Sequence, residues 1–198
     1  MHLRLVVPLA AFACLAATCE PPRTLQPIGD AATAKQDARL LGTWAGRLHD
    51  GGEFTLSVVP HEGGPLVDVV LVAADGAKGA MVLSYEGFST TVGTQSFLSL
   101  RPKRYADEFG EKTEVGERYV LARYALSKAG LLTLDLALDD EAFRGAADSG
   151  VLEGREVNGI FVLSSSSAAL TSFVTKTPGA FRSWATLRRV KLDPPKAR

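Results

Sequence analysis

Cysteine is almost missing from this chain: its 198 residues include two, Cys14 and Cys19, both within the first twenty. The body after Cys19 therefore has no internal disulfide, no thiolate metal site and no cysteine-pair redox centre. Histidine is nearly as scarce, with three residues. Net charge is absent, since 22 Lys and Arg balance 22 Asp and Glu, and nothing in bulk charge draws the chain to nucleic acid or to an anionic membrane. A transmembrane helix needs roughly 20 apolar residues in a row; the N-terminal run from Leu5 to Ala17 is shorter and is interrupted by Pro8. Phosphate-binding glycine loops are missing too, because Gly76-Ala77-Lys78-Gly79 lacks their spacing.

What is present begins at the N-terminus. Arg4, a short apolar stretch and Ala16-Ala17-Thr18 ahead of Cys19 describe an export signal of the bacterial lipoprotein kind. The reading is a signal peptide over 1–18, with Cys19 as the lipidated residue. Cys14, after Ala11-Phe12-Ala13, is the alternative acceptor, and plain secretion is the third case. Lipid on Cys19 would be the membrane contact, and more than one acyl chain gives a stable anchor. The expected location is the cell envelope, anchored and facing the periplasm, or a secreted soluble form. Residues 19–39, with Pro21, Pro22, Pro27 and several alanines, read as a Pro/Ala-rich tether. Asp30 could cap a short helix running to Leu41.

From Gly42 onward the apolar period is two. Phe54, Leu56 and Val58 alternate with Thr55, Ser57 and Val59, and Leu132, Leu134, Leu136 and Leu138 with Thr133, Asp135 and Ala137. Val67 to Ala74 apart from Asp68, and Tyr119 to Leu126 apart from Arg123, are apolar on both faces, which suits a barrel wall. Turn residues such as Asp50-Gly51-Gly52 and Asp75-Gly76 separate the runs. These signals predict strands near 43–49, 53–60, 66–74, 79–86, 95–101, 117–127, 131–138, 157–164 and 183–192. Helices are expected over about 139–148 and 167–176, the second started by a serine of the Ser164 to Ser167 run and stopped by Pro178-Gly179. The expected fold is all-β: one antiparallel up-and-down barrel over 40–193 with two or three short helices, and a tail over 194–198. Closure removes the exposed strand edges.

Leu41-Gly42-Thr43-Trp44 at the first strand resembles the Gly-x-Trp opening of lipocalin-like barrels. The segments Tyr119 to Tyr124 and Leu132-Thr133-Leu134 are similar to the late strand pair of uncharacterised bacterial lipocalin-like lipoproteins. So is the tail, with Leu170 and Phe173 on a helix and Leu187-Arg188-Arg189-Val190 on a last strand. The resemblance spans 40–192 and implies a calycin-type barrel. It further implies that Trp44 plugs the closed end beneath an arginine, Arg188 or Arg189, with Arg188 the first choice.

Among residues that could carry chemistry, His49 and His61 adjoin acids. An intervening strand of about eight residues spans about 25 Å, so the two turns fall at opposite barrel ends and share no metal. Asp139-Asp140-Glu141 suits a helix start. No set of base, nucleophile and orienting group assembles, so no enzyme, cofactor or catalytic residue is expected. The leading expectation is an envelope-tethered module binding a small apolar ligand, with Phe54, Phe97, Leu100, Tyr119, Tyr124 and Phe161 as candidate pocket residues. The alternative is a filled barrel that meets an envelope protein partner through the long connection Arg101 to Arg118, with Tyr105 and Phe109 as anchors.

Overall fold

Alternating strands and tight turns build the wall expected of them. In the computed structural model, which describes residues 21–47, 52–62, 64–75, 79–106, 117–137 and 140–191, eight antiparallel strands close into a barrel. In chain order the strands are β1 (Arg23–Thr24), β2 (Gly42–Arg47), β3 (Glu53–Pro60), β4 (Val67–Asp75), β5 (Gly79–Val92), β6 (Gln95–Ala106), β7 (Val120–Leu126), β8 (Leu131–Leu136), β9 (Gly154–Val157), β10 (Ile160–Leu163) and β11 (Arg182–Arg189). The barrel runs β2 through β8 in sequence and is sealed by β11, which pairs with both β8 and β2.

Between β8 and β11 the chain leaves the wall. It forms α1 (Asp140–Asp148), the β9–β10 hairpin and α2 (Ser167–Lys176), with a short 3-10 turn at Pro178–Ala180. The stretch 157–164, expected as one strand of the barrel, is instead the second half of this outer hairpin. Asn158 and Gly159 both have positive φ, 54° and 78°, the backbone of a tight two-residue hairpin turn. With β1 parallel to β10, these strands form a separate three-stranded sheet. The N-cap of α2 is Ser166, whose Oγ accepts from Ala169 N at 3.3 Å. Ser165 is buried and bridges the backbone of Glu153.

Two apolar cores result. One lies on the inner face of the barrel, with Trp44, Leu56, Val58, Val69, Leu98, Leu132 and Leu187 among its members. The other lies outside the β6–β7 wall, where Phe97 and Leu121 meet Phe143 of α1, Leu170 and Phe173 of α2, and Phe181. Arg123, the one charge in β7's apolar run, faces the outer side. It pairs with Asp135 on β8 at 2.7 Å and donates to Pro178 O at 3.1 Å, pinning the 3-10 turn to the wall.

Residues 21–41 are not a free tether. Thr24 exchanges backbone hydrogen bonds with Tyr119, and Leu25 N donates to Leu163 O at 2.9 Å. Ile28 is completely buried in the outer core, its N–H donating to Ser99 Oγ at 3.0 Å. Prolines fixed the expectation of an extended chain, but Ile28 and Leu40 gave that chain something to bury. The helix expected after Asp30 is replaced by turns: Asp30 Oδ1 accepts from Ala32 N at 2.9 Å, two residues on, which competes with helical bonding.

Candidate functional site: the barrel interior

Inward-facing residues of seven of the eight wall strands, β3 to β8 and β11, line a cavity of about 300 Å³, at the lower end of the range for small-molecule sites. Leu56, Val69, Leu71, Leu98, Leu134 and their neighbours make it almost wholly apolar; Arg23 is the charged residue at its edge. One end is shut. There Trp44 and Leu40 are buried, Trp44 Nε1 donates to Leu40 O at 2.8 Å, and the Arg189 guanidinium lies 4.6 Å from the Trp44 ring centre. Arg189 also donates to the Arg39 carbonyl. The arginine over Trp44 is thus Arg189 and not Arg188: Arg188, one residue away on a strand, is exposed and pairs with Ala45. A cation over an indole face contributes about 0.5–2 kcal/mol.

The residues 30–41 finish this closure. Tyr124 is buried, and its hydroxyl donates to Asp37 Oδ2 at 3.1 Å. Arg39 also holds Asp37, through Nε at 2.9 Å and Nη2 at 2.8 Å, and that bonding keeps the Asp37 carboxyl below its ordinary value. Burial first, then the Asp37 carboxylate, pushes the Tyr124 phenol up to about 12. A phenol titrating near 10 when unfolded and higher when folded stabilises the fold below pH 10 and stops doing so as pH rises through the folded value. We therefore expect urea titrations to show a loss of about 2–3 kcal/mol between about pH 10 and pH 12, at 1.36 kcal/mol per pKa unit. Tyr124→Phe should remove that slope; an unchanged slope would place the titrating group elsewhere.

The other end is where the lining keeps some exposure: Ala73, Met81, Leu83, Leu136 and Trp184 are half-buried there, beside Pro21 and Arg23. Trp184 was not foreseen. A bulge between Ser183 and Ala185 interrupts alternation on β11, so Trp184 and the buried Ala185 both serve the interior. Trp184 packs on Phe54, ring centres 4.9 Å apart.

Of the six expected pocket residues, the structure brings Phe54 and Leu100 to the cavity and places Tyr124 in the barrel core at its closed end. Phe97, Tyr119 and Phe161 belong to the outer core instead. Phe97 alternates with the inward Leu98, and Phe161 is not in the wall at all, lying 4.6 Å beneath the Arg144 guanidinium. Tyr105 pairs with Leu83 on an extended β6, so the connection expected from Arg101 starts later than its sequence suggests. The Tyr105 side chain and Phe109 lie outside the described residues, as do Cys19 and His49.

A polar cluster on the outer wall also escaped sequence reading. His61 Nδ1 is 3.0 Å from Asp68 Oδ2, Lys103 Nζ is 2.8 Å from Asp68 Oδ1 and 3.9 Å from Glu86 Oε2, and Arg101 meets Glu86 Oε1 at 2.6 Å. His61, Asp68 and Glu86 offer ligand atoms within 4.8 Å of one another. The two carboxylates already face two cations, and the Lys103 hydrogen bond is the first cause holding the Asp68 carboxyl below its ordinary value. A divalent ion would have to displace Lys103, so the group is an ion-pair network joining β4, β5 and β6. No family model, curated protein or solved structure matches this chain. The chain folds as a closed eight-stranded antiparallel barrel with an apolar cavity shut at its tryptophan end.

Proposed function

We propose that this chain is a lipocalin-like protein of the bacterial cell envelope, exported, anchored through lipid on Cys19 and facing the periplasm, whose barrel binds one small apolar ligand and performs no chemistry on it. The observation that carries the reading is the cavity of about 300 Å³ with an apolar lining inside a closed barrel. Burying apolar ligand surface contributes roughly 25 cal/mol per Å² before the costs of binding. Among the described residues the lining offers no paired carboxylates, histidine or cysteine for catalysis. Small residues ahead of Cys19 support the anchor.

Native mass spectrometry of residues 20–198, exported and purified without harsh detergent, tests the ligand. Extra mass that leaves on denaturation and extracts into organic solvent is the expected result. A clean apo mass, with no uptake of an apolar fluorescent dye, would overturn binding and favour a barrel that acts through its surface. For the anchor, Cys19→Ala should move the protein from the membrane to the soluble fraction, and continued membrane retention would refute it.

A further inference from the structure

We propose that the open end of the barrel is held face-on against the lipid bilayer, so that the cavity exchanges its ligand with the membrane without passing through bulk water. This rests on the lipid-anchor reading of Cys19. The observation behind it is where the chain enters the fold. Pro21 and Arg23 line the cavity at its open end, and from Thr24 onward the backbone is locked by bonds to Tyr119 and Leu163.

Reach then decides orientation. Cys19 precedes Pro21 by two residues, so an extended chain places their Cα atoms at most about 7 Å apart. A free tether of some 15 residues would instead allow about 20 Å of root-mean-square separation and every orientation. The segment that looked like such a tether is spent as a strap, running from the mouth along the outer wall, where Ile28 meets Ser99, to the closed end, where Leu40 meets Trp44. The anchor and the mouth are thereby on one side of the molecule, and the Trp44 plug is on the other. Half-buried Met81, Leu83 and Trp184 at the mouth give an acyl chain an apolar surface to follow inward.

Because no cysteine follows Cys19, spin labels at single introduced cysteines report orientation cleanly. Glu53→Cys probes the mouth, at the start of β3 beside Phe54, and Lys128→Cys probes the turn between β7 and β8 at the closed end; both positions are exposed. The full lipidated protein would be placed in phosphatidylethanolamine–phosphatidylglycerol vesicles, its lipid verified by intact mass. We expect the label at 53 to lose most of its collisions with an aqueous nickel chelate and to gain collisions with oxygen. The label at 128 should behave as it does in solution. Inserting a Gly/Ser linker of about 15 residues between Glu20 and Pro21 should abolish the difference. Equal chelate access at both labels in verified lipidated protein overturns the orientation while leaving the anchor intact. Protection at 53 that survives the linker also overturns it, because the short reach would not be its cause. Absence of lipid on Cys19 in the intact mass overturns the anchor reading itself.

Discussion

Replacing Trp44 by alanine is expected to destabilise the protein by about 3–5 kcal/mol, the usual cost of removing a large aromatic from a packed core. Trp44 is 1% exposed, and its loss would undo three things together. The barrel would lose its largest buried side chain, Leu40 O would lose the indole donor at 2.8 Å, and the Arg189 guanidinium would lose the ring beneath it. The exposed Arg189 guanidinium would keep its bond to the Arg39 carbonyl but would border a new void. Urea denaturation gives the measurement, and a loss under about 1 kcal/mol would mean the barrel end collapses around the gap. Arg189→Met separates the contributions: it keeps an apolar stem over the ring and should cost no more than about 2 kcal/mol. A larger loss would mean that the Arg189 bond to the Arg39 carbonyl, not the ring contact, holds the strap in place.

The second large effect concerns the cavity. Ala73→Trp should reduce uptake of an apolar fluorescent probe by at least about tenfold, the equivalent of 1.4 kcal/mol, while the barrel stays folded. Ala73 pairs across the sheet with Phe54 and Met81 at the open end, and all three line the cavity. A tryptophan there projects into space that is unfilled and half-open to solvent, so overpacking strain should be small compared with a substitution at a fully buried site. Circular dichroism and a thermal melt check the fold. Unchanged probe uptake in a folded variant would show that the probe binds outside the barrel. The matching control is on the outer core: Phe161→Leu, remote from the cavity lining, should lower stability without altering probe affinity.

Much of the architecture was legible because it depends on local periodicity. Leu132, Leu134 and Leu136 fall two apart, and β8 buries Leu132 and Leu134 inside the barrel. The expected helices agree with α1 and α2 to within a residue, since acids at one start and serines at the other are what unpaired helical N–H groups require. Phe97 and Leu100 lie three apart on one strand, so they face opposite sides, and both could never have lined one pocket. Leu98 and Leu100 face in, and Phe97 faces the helices. Likewise Asn158-Gly159 is a hairpin signal inside the stretch 157–164, which its apolar residues alone predict as a single strand.

Other features had no local signal. Trp184 reaches the interior because β11 carries a bulge against β8, and a bulge is a property of two paired strands, not of one sequence. Lys103 meets Asp68 and Glu86 across three strands through a register shift between β5 and β6 at Ser84 and Tyr85. The strap is the clearest case. Its prolines and alanines specify an extended chain, and an extended chain is equally ready to hang free in water or to lie along a wall. By itself the sequence determined the strand period, the turns, the helix starts and the absence of thiol chemistry, because each follows from neighbours a few residues apart. Tertiary structure alone decided which face of each strand is inside, which arginine covers Trp44, and that residues 21–41 bind the barrel from mouth to base. Those outcomes turn on contacts between residues such as Ile28 and Ser99, 71 positions apart, whose pairing exists only once the barrel has closed.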